Sequence, residues 1–399
     1  MIRSNHFTEN FIILLIISSI FLPTIPLGLE IRIDDLMVLF FIPFFLLVRP
    51  NFKVNRLVSS YVLILILFVI STIYGYLFLN VPTSLRDINE FIRTIKPFLI
   101  IIAVSYCDSN KLALKLNTVF KYGAILIVLI GFLEFFDFLG YRNFLKTLYR
   151  SSGYESADIS GRIVLTAANP NVAAALVIYF ITYILQSILI TRHKIRHSIV
   201  LLFLMIVLLM TSSRTSLVVF IVILFTSLFF HFKKNKVVTL MILTLSFALL
   251  ISMIQFFDYL FIGFSTFIAG ENTSMLLRYQ QWAEAYTLFL QSPIIGWGPA
   301  KAIHTTIVDS EHLLLLRRYG VLGYLAVFNF IFGYAWVVYK KRRKFKQMDL
   351  LHKRIAITSL FSCLMIFILM ITNNFFSGYQ LTTLFVVMIT LVENKLSKI

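Results

Sequence analysis

An all-α, polytopic membrane fold with about twelve transmembrane helices and two long outer loops follows from three observations. Apolar residues make up 59% of the 399 and charged residues only 14%. The mean hydropathy of +0.89 is more than a soluble domain can hide. The apolar residues fall in runs near the roughly 20 residues a helix needs to cross a bilayer. The connections between runs then alternate in charge. Of 36 Lys and Arg, 23 fall on one side (15 Lys, 8 Arg) and 13 on the other (10 Arg, 3 Lys). The Lys-rich side carries the positive-inside signal of cytoplasmic loops. The net charge of +18 is therefore mostly topology, and no nucleic-acid partner is expected. A single membrane domain over residues 1–399 leaves no room for a separate soluble one.

The expected spans are 10–28, 35–49, 57–79, 89–106, 118–138, 170–190, 198–212, 215–231, 237–257, 313–339, 355–373 and 379–393. The run Phe11–Phe21 resembles a signal peptide in apolarity. No small-residue cleavage site follows it, and Pro23 and Pro26 do, so it reads as the first span. Residues 198–231 are apolar except for Thr211 to Ser216. As one helix they would be about 50 Å long, too long for an ordinary span. Two short spans joined by a polar turn keep Lys233, Lys234 and Lys236 inside and put Arg214 in a recess below the outer surface. Apart from that recess, few ionisable residues are expected deep in the spans. Cys107 falls in a cytoplasmic loop and Cys363 in a span, which argues against a disulfide framework or a thiol metal site. No internal repeat is visible.

Two outer connections are long, 140–169 and 258–311. The first carries Arg142, Arg150 and Arg162 and ends Asn169-Pro170-Asn171. The second contains an amphipathic helix starting near Asn272 or Thr273, both good N-caps, and stopped by Pro293. Met275, Tyr279, Trp282, Tyr286 and Phe289 form a stripe at helical spacing, as in a helix lying on the membrane surface as a lid. Glu134 and Asp137, at the outer end of the fifth span, read as an ordinary interfacial pair reached by water.

The outer face favours arginine, the residue that grips phosphate bidentately. An arginine in a membrane recess costs about 2.5–3.5 kcal/mol on insertion scales and marks a functional site by default; snorkelling is the alternative for Arg214. Arg278 and Trp282 share a helix face, suited to an anionic headgroup with a sugar or interface contact beside it. Asp309-Ser310-Glu311-His312 opens a span, with Arg317 and Arg318 one to two turns in. Asp309 is either a general base or the N-cap of that helix. Arg162 is a weaker candidate, since loop arginines are often only solvated. His304 and His312 lack metal-ligand spacing, and neither metal nor cofactor is expected. Arginines without a metal cluster suit a phosphate leaving group whose charge they stabilise directly.

These motifs have a familiar order. Ser213-Arg214-Thr215-Ser216, then Arg278 to Trp282, then Ser292-Pro293-Ile294-Ile295-Gly296-Trp297-Gly298, then Asp309-Ser310 and Tyr319-Gly320-Val321-Leu322-Gly323 resemble segments of the bacterial O-antigen ligase/polymerase superfamily. Arg162 and Asn169-Pro170-Asn171 resemble an earlier element of it. The resemblance spans about residues 160–330. It implies an inverting, metal-independent transfer of an undecaprenyl-pyrophosphate-linked glycan on the outer face of the inner membrane, with both termini cytoplasmic. It implies Asp309, Arg214 and Arg278 as catalytic residues, and Arg162, Trp282, Arg317, Arg318, Glu311 and His312 as substrate contacts. Membrane lipid, a chain-length regulator and a flippase are the other implied partners. Ligases carry His-Asn where Asp309-Ser310 stand, which favours a repeat-unit polymerase for O-antigen or capsule over a ligase. A lipid-linked sugar transporter is the third reading, but such proteins usually show paired halves.

Overall fold

The computed structural model describes residues 3–26, 30–39, 55–82, 84–149, 161–167, 169–190, 194–231, 273–304, 308–376 and 379–399, with isolated residues between 243 and 270. Helices dominate. They are α1 (Arg3–Phe21), α2 (Arg56–Phe78), α3 (Leu85–Ser105), α4 (Ser109–Phe135), α5 (Tyr141–Tyr149), α6 (Pro170–Ile190), α7 (Lys194–Met210), α8 (Arg214–His231), α9 (Thr273–Gln291), α10 (Glu311–Lys340), α11 (Arg342–Gln347), α12 (Leu350–Leu369) and α13 (Tyr379–Lys398). Six of these, α2, α4, α6, α8, α10 and α12, are long and apolar enough to cross a membrane; α1 and α7 hold shorter apolar stretches. Residues 33–39 are helical, and the rest of the expected span 35–49 lies outside the described residues, as does nearly all of 237–257.

The first span ends earlier than expected. Helix α1 stops at Phe21, ahead of Pro23, and the chain turns into a small antiparallel hairpin, β1 (Thr24–Pro26) with β2 (Glu30–Arg32). The polar turn at Thr211–Ser213 does divide residues 194–231 into α7 and α8, with Ser212 in the left-handed region at φ 49°. Asp108 and Asn55 cap α4 and α2 by accepting backbone N–H bonds, which fixes where each helix starts.

Helix α6 is the axis of the bundle. Residues Ala173 to Leu189 are buried all round, as expected of a helix apolar on every side. Several of its polar groups are paired: Tyr183 Oη donates to Asn117 Oδ1 at 2.8 Å, and Arg354 Nη1 reaches the same oxygen at 3.2 Å and Ser187 Oγ at 3.0 Å. Outward faces of α2 and α4 expose Leu63, Ile66, Ile73, Leu126 and Leu129, the pattern of helices solvated by lipid. Glu9 meets Lys115 near one chain end, and Lys395 meets Asn110 near the other, so both ends of the chain lie at the same end of the bundle. Cys107 and Cys363 are free and buried.

Ionisable groups are deeper than the sequence reading allowed. Asp34, expected in an outer link, is fully buried with Arg32 and Lys96. Arg32 Nε lies 3.1 Å from Asp34, and Lys96 Nζ bonds Asp34 and, at 2.7 Å, Asp35. Two cations and two carboxylates balance, the condition under which buried charge is tolerated. Glu134 is likewise 2% exposed and not at a wet interface. Its two carboxylate oxygens accept the N–H groups of Val164 and Leu165, each at 2.7 Å, clamping the first outer loop onto α4. Asp137, next to it, is exposed as expected.

Candidate active site

Arg86, Arg93, Arg317 and Arg318 come together at the end of the bundle opposite the chain termini. A cavity of about 310 Å³ opens there, lined by Arg86, Asn89, Glu90 and Arg93 of α3, Lys301 and His304 of the loop after α9, Arg317 and Arg318 of α10, and Asn374. Five cations thus face one carboxylate. Lys301 Nζ sits 2.6 Å from Glu90 Oε1, and Arg318 Nη1 3.6 Å from Oε2. Arg317, 2% exposed, has no ion pair among the described residues. His304 Nε2, Arg317 Nη1, Arg318 Nε and Asn374 Oδ1 are buried without a hydrogen-bond partner. Buried polar atoms are almost always paired, and an uncompensated buried guanidinium is costlier still. A cavity with several such donors suits an anion that completes them. Burial and the nearby Arg318 push the Lys301 ammonium below its ordinary range, while Glu90 pulls it back. Burial, with Arg317, lowers the His304 imidazole.

The arginines owe their position to a joint in α10. Gly320 has φ 61° and ψ −168°, which interrupts the helix. An uninterrupted helix would bond the N–H groups of Val321 and Leu322 to the carbonyls of Arg317 and Arg318. All four groups are instead taken by the loop Pro293–Gly298. Val321 and Leu322 donate to the carbonyls of Pro293 and Ile294 at 2.8 and 3.3 Å, and Trp297 and Gly298 donate to those of Arg317 and Arg318 at 3.0 and 2.8 Å. The glycines of this motif are explained by the approach. A Cβ on Gly320 would lie 2.2 Å from the Ile294 carbonyl oxygen, and one on Gly296 2.5 Å from that of Arg318.

A second cluster lies around Arg214, the first residue of α8. Asn169 caps α6 by accepting the N–H of Asn171 at 2.8 Å, and Pro170 occupies the first helical position, where its missing N–H costs nothing. Asn171 is thereby aimed at the neighbouring turn. Its Oδ1 meets Ser213 Oγ at 2.8 Å and Arg162 Nη2 at 3.3 Å, and its Nδ2 donates to Asn373 Oδ1 at 3.3 Å. Arg162 Nε donates to the Thr211 carbonyl at 2.9 Å, and Thr372 Oγ1 donates to Thr215 at 3.2 Å. Arg162, Asn169-Pro170-Asn171 and the turn before Arg214 are therefore one polar assembly. It is joined to the cavity by the turn after α12, whose Asn373 faces this cluster while Asn374 lines the cavity.

Arg278 and Asp309 form an ion pair, Nε to Oδ2 at 3.3 Å. The N-cap of α10 is Ser310 and not Asp309. Helix α9 covers Val308 and Leu314 with Trp282 and Ala285, while Leu276, Tyr279, Tyr286 and Leu290 are exposed. The predicted aromatic stripe is thus divided between a packing edge and an outward face. Glu311 is fully buried, and its carboxylate accepts the Phe376 N–H. His312 faces α12: Nε2 meets the Phe367 carbonyl at 2.9 Å, and Tyr324 Oη lies 3.2 Å from Nδ1.

Of the residues singled out from the sequence, Arg317 and Arg318 line the cavity, Arg162 lies in the polar assembly that positions Arg214, and Arg278 and Asp309 hold each other. Glu311 and His312 are engaged with neighbouring segments. Arg86, Asn89, Glu90, Arg93, Lys301 and Asn374 were not singled out. The signal for the α3 group was present: residues 86, 89, 90 and 93 share one helix face, which collects two arginines and a carboxylate beside an apolar run.

No curated protein matches the chain. Residues 199–335, about a third of the chain, match the family described as O-antigen ligase, and they contain Arg214, Arg278, Asp309, Arg317 and Arg318.

Proposed function

We propose that the protein is a repeat-unit polymerase, transferring a glycan from an undecaprenyl-pyrophosphate carrier to a new lipid-linked unit at the outer face of the inner membrane, with inversion and without a metal ion. The observation that carries this reading is the cavity of five cations with unpartnered guanidinium nitrogens on Arg317 and Arg318. A pyrophosphate supplies the oxygens these donors lack, and in a site shielded from water they stabilise the charge that grows on it as the glycosidic bond breaks. Arg214 and Arg162 extend the positive surface beside the turn carrying Asn373 and Asn374. Asp309 orients Arg278, and α9, with Trp282 on its packing edge, roofs the acceptor side. The Asp309-Ser310 pair, in place of the ligases' His-Asn, favours polymerase over ligase. The Lys-rich end, which holds both chain ends, is the cytoplasmic one.

The test is to reconstitute the purified protein with a prenyl-diphosphate-linked repeat unit and read product length by mass spectrometry. A ladder of multiples is expected, and Arg317→Ala and Arg318→Ala should each lower its rate by about 10²-fold or more, as loss of a transition-state charge contact does. Intact single units that move across the vesicle without elongation would support the transporter reading instead. Transfer only to a different acceptor would support the ligase.

A further inference from the structure

Transfer of a sugar to a hydroxyl needs a group within hydrogen-bond reach to take the hydroxyl proton. Asp309 is paired with Arg278 and is not among the residues lining the basic cavity. Glu311 is fully buried and accepts the Phe376 N–H. Asp87 accepts the backbone N–H of Lys301 at 3.0 Å and faces an apolar groove on the other side of α3. Glu284, whose charge acts on Arg317 and His304, is not among the lining residues, which leaves Glu90 as the one carboxylate among the described residues lining the basic cavity. Glu90 also lines a smaller inner cavity of about 100 Å³, where the charged groups of Arg32, Asp35, Lys96 and Glu311 stand beside Tyr61, Tyr319, Thr382 and Thr383. It therefore stands where a cationic chamber, suited to a diphosphate, meets one of mixed charged, hydroxyl and aromatic groups, suited to a sugar.

We propose that Glu90 is the general base of the transfer and that binding of the donor's diphosphate arms it. The proposal rests on the polymerase reading above, and it assigns the role to a residue of α3, outside the matched segment 199–335. In the structure Glu90 is held by Lys301 and Arg318. A diphosphate entering the cavity competes for both cations and releases the carboxylate. The acceptor O–H bond then breaks and its proton passes to Glu90. The oxygen's electron pair forms the bond to the anomeric carbon, and the bond from that carbon to the diphosphate oxygen breaks. The lipid diphosphate leaves with that electron pair, its charge met by the cations. Protonated Glu90 returns the proton to water after the product leaves.

Glu90→Gln separates this role from a structural one. It keeps the size of the side chain but removes the proton acceptor and the one negative charge lining the cavity. Turnover of the reconstituted protein should fall by about 10²–10⁴-fold, the usual contribution of a general base. Affinity for a prenyl-diphosphate sugar, measured by titration calorimetry in detergent, should stay equal or become several-fold tighter. Glu90→Asp, which keeps the base one methylene further away, should retain part of the turnover. Glu90→Gln turning over within twofold of the parent would overturn the proposal while leaving the polymerase reading standing. Turnover and donor affinity falling together would also overturn it, since a merely structural pairing with Lys301 and Arg318 predicts that result. A parent protein that neither binds the prenyl-diphosphate sugar nor elongates it would overturn both.

Discussion

Arg317 shows how a single side chain carries the functional argument. Its guanidinium is buried beside Arg318 and keeps one nitrogen unpartnered, an arrangement that folding alone does not favour. His304 sits in the same field, and its behaviour gives a test with a definite sign. Its imidazole is lowered from its ordinary value by burial and by Arg317, so it is neutral at pH 7. An unfolded chain takes up this proton near pH 6.5, before the folded one does. The stability contributed by the neutral imidazole is therefore present above that value and is lost as pH falls below it. Anion binding should run the other way. Acidification adds a sixth cation to the cavity, so a diphosphate diester, whose own charge is constant, should bind more tightly at pH 5.5 than at pH 7.5. His304→Gln should flatten that dependence. Calorimetric titration at the two pH values decides it; an unchanged slope in the variant would remove His304 from the binding field. The sequence shows His304 only as a histidine without ligand spacing, because its meaning depends on Arg317, thirteen residues away and brought close only by the joint in α10.

At the scale of elements, the exchange of four backbone hydrogen bonds between α10 and the loop Pro293–Gly298 is the device that aims Arg317 and Arg318. A straight helix would satisfy its own carbonyls and leave the loop without partners. Gly320→Ala is expected to break the device twice over. It puts a side chain at φ 61° and sets a Cβ 2.2 Å from a carbonyl oxygen. The left-handed strain alone amounts to about 1–3 kcal/mol, and the clash adds to it. Thermal unfolding in detergent should show a clear loss of stability, with polymer formation falling further than stability explains because both arginines turn with the joint. Full activity at unchanged unfolding temperature would show that the kink is not what positions them. The glycine spacing of this loop is legible in the sequence as a motif. Its reason is not, because it lies in the approach of two segments rather than in either one.

For the molecule as a whole, the charge asymmetry predicts an orientation that chemical labelling can read. Both native cysteines are buried, which leaves a quiet background. A cysteine at exposed Ala302, beside the cavity, should react with a membrane-impermeant maleimide in intact cells. One at exposed Lys398 should react only after permeabilisation. The reverse pattern would put the basic cavity on the cytoplasmic side and remove any role in outer-face assembly.

The sequence by itself determined the class of fold and the six spans whose helices are long and apolar enough to cross a membrane, because hydropathy and the lysine asymmetry are local quantities that the bilayer reads directly. It also resolved the break at Thr211–Ser213, since one helix over that length would overshoot the membrane. It located Arg214, Arg278, Arg317 and Arg318 as residues needing an explanation, since arginine in or beside a span is costly wherever it points. The tertiary structure alone decided which charges meet. Glu134 left the interface to clamp a loop, Asp309 was taken by Arg278, and Glu90 of α3 came to face Lys301 and Arg318. Those outcomes depend on helix rotation and on contacts between segments as many as 228 residues apart in the chain, from Glu90 to Arg318, and no local pattern of residues encodes them.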